Sequence, residues 1–135
     1  MTGLRVEVLP KGRGSVYLRR AENLLKIMEL ADREANPDGT ATSAIQAAIA
    51  LGDAYTVSLL QRRSRGQDHS EVLLLIRDCP PNTANEVARV LQRILNRRSE
   101  ALYESREVSL RQGRELATMA RKLHSVVRSA ISSTS

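Results

Sequence analysis

The sequence predicts an all-α fold: an up-and-down helical bundle of four long helices plus one short buried helix, with an extended N-terminal arm. Three observations carry this. Apolar residues recur at three- and four-residue intervals along most of the chain. Hydrophobic residues make up 41% of it but aromatics only 2%, with no Phe and no Trp, so the core must be Leu, Ile, Val, Ala and Met. That composition favours helix packed on helix over a β-sandwich. The breaks between periodic segments are short and rich in helix-capping residues.

Taken in order, residues 1–14 carry Pro10, Gly12 and Gly14 without helical period and read as an extended or mobile arm. Ser15 can cap a first helix to about residue 35, with Tyr17, Ala21, Leu24, Met28 and Ala31 on one stripe. "NPDGT" (residues 36–40) is a strong break. A second helix is expected from about Thr42 to Arg63, rich in small residues that permit close packing on several sides, with Gly66 ending it. "DHSEVLLLIRDC" follows as a short buried helix, with Asp68 and Glu71 spaced as a capping box. Thr83 and Glu86 form a second such box, starting a fourth helix that runs to about Leu102 with Arg89, Arg93 and Arg97 on its polar side. Ser109 and Gln112 open the fifth, and residues 132–135 should fray. No repeat or linker divides residues 15–131, so they form one bundle of ordinary domain length.

Composition also bounds function. No apolar run approaches the ~18 residues of a membrane span, and the N-terminus lacks the apolar stretch of a secretory signal, so a cytoplasmic location is expected. The single cysteine, Cys79, has no partner for a disulfide and reads as a small half-buried residue. Two distant histidines and one cysteine make no zinc constellation, and no phosphate-binding loop or nucleophile elbow is present, so neither metal nor cofactor is expected. Net charge is +6, and all the cations except Lys11, Lys26 and Lys122 are arginines. Arginine suits bidentate phosphate contacts, although a GC-rich genome also favours arginine codons.

Short connections make successive helices antiparallel. Counting five crossings puts the ends of the second and fourth helices at one pole with the starts of the third and fifth. That pole would collect Arg62, Arg63, Arg65, His69, Arg97, Arg98, Tyr103 and Arg106, and the helix N-termini would add partial positive charge. Two readings stand: a joint anion site, or arginines that point into water and are partly answered by Asp68, Glu71, Glu100, Glu104 and Glu107.

Four segments, in order, resemble the HEPN domain family, in particular the nucleotidyltransferase-associated helical proteins. They are "VYLRRAENLLKIMELA" (16–31), "SAIQAAIALGDAYTVSLL" (43–60), "GQDHSEVLLLIRD" (66–78) and "VLQRILNRRSEALYESREVSLRQGREL" (90–116). The resemblance covers roughly residues 15–130 and lies in order and spacing more than in any single motif. It implies a helical bundle, homodimerisation and association with RNA or nucleotides. Ribonuclease members carry R-x4-6-H near the end of the penultimate long helix; here that position reads "RSEALY", with Arg98 in place and Tyr103 where the histidine would stand. A histidine exchanges protons near neutrality, whereas a tyrosine with a pKa near ~10 is a poor base, which argues against the usual ribonuclease activity. Tyr103 can still donate a hydrogen bond or stack on a base, or be an amphipathic helix-end residue. His69 also follows Arg63 at R-x5-H spacing, but between the second and third helices, where a capping or packing role is the simpler reading. His124 reads as a surface or packing residue.

The leading expectation is therefore a non-catalytic HEPN-like module binding RNA or nucleotide phosphates through Arg62, Arg63, Arg65, Arg97 and Arg98, with Tyr103 and His69 giving directional contacts. One alternative is a protein-interaction module partnering a nucleotidyltransferase or a toxin–antitoxin component. The other is a divergent ribonuclease that uses His69 with Arg98.

Overall fold

The computed structural model describes residues 5–65, 70–102 and 107–133. A short strand β1 (Val6–Val8) and a 3-10 turn (Lys11–Arg13) lead into α1 (Gly14–Arg33) and α2 (Pro37–Leu60). After these come β2 (Arg62–Ser64), α3 (Ser70–Ile76), α4 (Pro81–Asn96), α5 (Arg98–Leu102) and α6 (Leu110–Ser132). The fold is all-α, with four long helices, and its only β-structure among the described residues is the antiparallel β1–β2 pair.

Helix α2 is the axis of the molecule. Between Ala41 and Ser58 only Gln46 is exposed, because α1, α3, α4 and α6 all pack against it. Its alanines, serines and Gly52 permit that close approach; Leu91 and Val72 crowd against Gly52 from two other helices. By length and composition α2 could cross a membrane, but 78% of its most apolar window is buried within the bundle.

Several local expectations are corrected. The break at "NPDGT" is present but short, and α2 starts inside it at Pro37 rather than near Thr42: Asn36 caps α2 by accepting the Gly39 amide at 3.1 Å, and Pro37 occupies the first turn, where its missing N–H leaves no hydrogen bond unmade. At its other end α2 stops at Leu60 instead of continuing to Arg63, since Gln61 turns left-handed (φ 57°) and sends residues 62–64 into β2. There they pair with the N-terminal arm, in register Val6↔Ser64, Glu7↔Arg63 and Val8↔Arg62. Thr83 makes no capping box; α4 begins at Pro81, and the Thr83 hydroxyl bonds instead to the buried Tyr55 hydroxyl at 2.6 Å. The fourth helix does not run unbroken to Leu102, because it ends at Asn96, with Arg97 as its C-cap, and α5 follows. The Ser109–Gln112 capping box forms as expected.

The largest correction concerns direction. Gly14 abuts Ser58 and Gly39 abuts Ala31, so α1 and α2 are antiparallel. Arg114 reaches Asp32 while Arg128 reaches Glu22, which sets α6 antiparallel to α1 and places Gly113 against Pro37. Arg97 meets Glu115 and Lys122 meets Glu86, so α4 is antiparallel to α6. The long helices therefore run up, down, up, down without α3. At about 1.5 Å per residue the seven-residue α3 spans ~10 Å against ~36 Å for α2, too short to cross the bundle. Helix α4 consequently starts where α2 stops, as the Tyr55–Thr83 bond requires. The expected common pole counted α3 as a full crossing; the ends of α2 and α4 lie at opposite ends.

Candidate anion-binding groove between α4 and α6

The arginines expected to share one site are divided between two ends of the molecule. Arg62, Arg63 and Arg65 sit where α2 ends, and Arg97 and Arg98 sit near where α2 begins. From Pro37 to Asp53, the anchor of Arg63, is about 24 Å of helix axis. His69 and Tyr103, with Asp68 and Arg106, lie outside the described residues.

Arg63 is occupied. Its Nε donates to Asp53 Oδ2 at 3.2 Å, its Nη1 lies 3.8 Å from Glu7, and its guanidinium stands 5.1 Å from the centre of the Tyr17 ring. Arg20 stacks near the same ring at 5.4 Å. Asp53 is only 8% exposed, and burial pushes its carboxyl above the ordinary 3.8 despite the Arg63 charge beside it. This cluster pins the β-pair to α1 and α2, a structural task. Arg62 and Arg65 are exposed beside it.

A different constellation forms between α4 and α6. On α4 the residues Ala84, Val87, Val90, Leu91 and Ile94 are buried, which turns Arg89 and Arg93 outward, with Arg97 four residues further on. On α6 the buried stripe of Gly113, Leu116, Ala117, Ala120 and Leu123 turns Arg111, Arg114 and Lys122 outward. Because the helices are antiparallel, these two polar margins face each other across a groove of about 710 Å³. Arg93, Arg97, Arg111, Arg114 and Lys122 line it, over a floor that includes Thr118 and Met119. Glu115 is the one carboxylate among the described lining residues.

Two ion pairs cross it: Arg97 Nη1 donates to Glu115 Oε2 at 2.6 Å near one end, and Lys122 Nζ lies 3.7 Å from Glu86 near the other. Arg111 Nε also donates to Glu115, at 3.0 Å to Oε1, and Arg114 leans toward Asp32 at 3.7 Å. The hydrogen bonds from Arg97 and then Arg111 hold the Glu115 carboxyl below its ordinary 4.5. Arg93, midway, has no ion-pair partner among the described residues. A concave surface with an excess of one charge concentrates counter-ions of the other sign. Guanidinium forks add bidentate geometry for phosphate oxygens. Arg98, half-buried at the start of α5, adjoins this end.

Of the described residues expected from sequence to form the site, only Arg97 lines this groove. Arg93, Arg111, Arg114 and Lys122 were missed as site residues; the four-residue spacing of Arg89, Arg93 and Arg97 was the visible signal, and the facing helix was not. A second groove of about 480 Å³ runs between α1 and α6, where Arg19, Lys26, Arg121 and Arg128 stand with two lining carboxylates, Glu22 and Glu29, against one described in the first. Glu22 there contacts His124 Nε2 at 2.8 Å and Arg128 at 2.7 Å, and Arg121 grips Glu29 and Asp32. Cys79 is buried, with its thiol pushed up to about 12, chiefly by burial. No group of three or more His, Cys, Asp or Glu among the described residues could hold a metal ion.

No protein-family model, no curated protein and no solved structure matches the chain.

Proposed function

We propose that this chain is a non-catalytic, HEPN-like module that binds RNA or nucleotide phosphates, and that the α4–α6 groove is where it does so. The observation that carries this reading is the charge of the groove: among the described residues, five cationic side chains surround a single carboxylate, and Arg93 is unengaged. Arg97 keeps the role expected of it. Arg62, Arg63 and Arg65 leave the joint site, and Arg98 stands at its margin. With Tyr103 in the position of the family's histidine, the reading needs no bond-breaking step.

Binding of a fluorescently labelled RNA, followed as salt is raised, tests the reading. Removing one phosphate-binding cation lowers the slope of log affinity against log salt by roughly 0.7 for a single strand. The double variant Arg93→Gln, Arg97→Gln should weaken binding and flatten that slope, while Arg62→Gln should change neither. Weakening by Arg62→Gln with none from the double variant would move the site to the other end of the molecule.

A protein-interaction role, with a nucleotidyltransferase or toxin–antitoxin component or as a homodimer, has one observation in its favour. Ile27 and Leu30 lie one turn apart on the outer side of α1 at 55% and 50% exposure. Co-purification that survives high salt would support it, since apolar association is not screened.

A further inference from the structure

Glu115 stands in the groove in a position that an anionic ligand would need. Its two carboxylate oxygens are held separately, Oε2 by Arg97 across the groove and Oε1 by Arg111 one turn earlier on the same helix. The side chain is 38% exposed, so the carboxylate can leave this grip and hydrate without being stranded in the interior. We propose that Glu115 is a selectivity element for the groove: it occupies the paired guanidinium groups against singly charged anions and yields them to multiply charged phosphates. This rests on the binding function proposed above.

The physical basis is competition by a tethered group. A free monoanion that displaced Glu115 would exchange two charge-assisted hydrogen bonds for two of the same kind and would lose its translational freedom besides. The tether gives Glu115 a local concentration that a dilute monoanion does not match. A polyphosphate is different, because its further charges reach Arg93, Arg114 and Lys122 as well, and those interactions outweigh the displaced carboxylate. Glu115 would thus lower affinity for every anion by about the same factor, the cost of releasing its carboxylate, which leaves a singly charged anion without useful affinity and a multiply charged one with it. The position of Arg111 four residues before Glu115 on one helix keeps the closed state locally stable.

The test uses the full chain and two probes, dimethyl phosphate with one charge and inorganic tripolyphosphate with several, followed by NMR chemical-shift titration. The wild type should bind tripolyphosphate and show no saturable response to dimethyl phosphate. Glu115→Gln should give dimethyl phosphate a saturable response and tighten tripolyphosphate by about tenfold, because one ion-paired hydrogen bond is worth roughly that factor. Glu115→Ala, which keeps a strong helix former, repeats the measurement should Gln disturb the helix. Glu34→Gln removes the same charge from an exposed site at the end of α1 and should reproduce neither gain. Tripolyphosphate binding with no gain for dimethyl phosphate in the Glu115 variants, or an equal gain in Glu34→Gln, overturns the selectivity role and leaves the binding function standing. Failure of tripolyphosphate to bind any of these folded proteins overturns both.

Discussion

Arg63 donates to Asp53 at 3.2 Å, joining the short β-pair to the buried flank of the central helix. The sequence set Arg63 aside for a ligand; the fold gives it to a carboxylate only 8% exposed. Arg63→Gln should therefore destabilise the protein at neutral pH by about 1–3 kcal/mol, the cost of leaving a buried charge without its partner. The pH dependence has a definite sign. Asp53 already titrates above its ordinary value of 3.8, and losing Arg63 raises it further. A carboxyl raised in the folded state favours folding when protonated and opposes it as pH rises through the folded pKa. The deficit of Arg63→Gln relative to wild type should shrink below pH 4 and grow toward pH 7, read from urea midpoints across that range.

Tyr55 and Thr83 form the contact that brings the start of α4 to the end of α2. Tyr55 is fully buried, so Tyr55→Phe removes the hydroxyl without opening a cavity. A double-mutant cycle with Thr83→Val should return a coupling of about 1 kcal/mol, as for one partly buried hydrogen bond. A coupling near zero would separate the two hydroxyls in solution.

Gly113 lies in α6 with Pro37 against it; a Cβ at this position would come within 3.1 Å of the Pro37 Cα. Gly→Ala inside a helix ordinarily stabilises by up to ~1 kcal/mol. Here the neighbour is backbone at a helix start, so Gly113→Ala should instead destabilise by about 1–3 kcal/mol. A stabilised variant would contradict the placement of α6 beside the start of α2, and with it the direction assigned to α4.

Acid should weaken the α1–α6 contact. Glu22 titrates below 4.5, chiefly through its hydrogen bond with His124, and Glu29 does so through Arg121. Lowered carboxyls contribute stability that is complete above their unfolded value and is lost as pH falls through the folded one. Thermal stability should decline from about pH 5 downward. Glu22→Gln and Glu29→Gln together should flatten that decline while lowering stability at pH 7.

What the sequence made legible follows from the range of each signal. Helical periodicity and the Ser109–Gln112 box are encoded within a few residues, and both appear where expected. Asn36-Pro37 was equally local but ambiguous, since the residues that break one helix also cap the next. Three-residue strands carry no measurable alternation, so the pairing of Val6–Val8 with Arg62–Ser64 left no trace in the pattern. The groove depended on a still longer chain of inference. Arg89, Arg93 and Arg97 were visible as a polar stripe, but their neighbours depended on whether α3 crosses the bundle. Seven residues are too few, and that one count moved α4 to the opposite direction and Arg97 to the opposite end from Arg63.

The central claim is that the α4–α6 groove is the phosphate-binding surface. An amide chemical-shift titration of the full chain with a short single-stranded RNA at low salt tests it most directly. Changes should gather at Arg93, Arg97, Arg111, Arg114 and Lys122 and be reversed by added salt. Changes gathered at Arg62–Arg65, or none at either end of the folded protein, would contradict it.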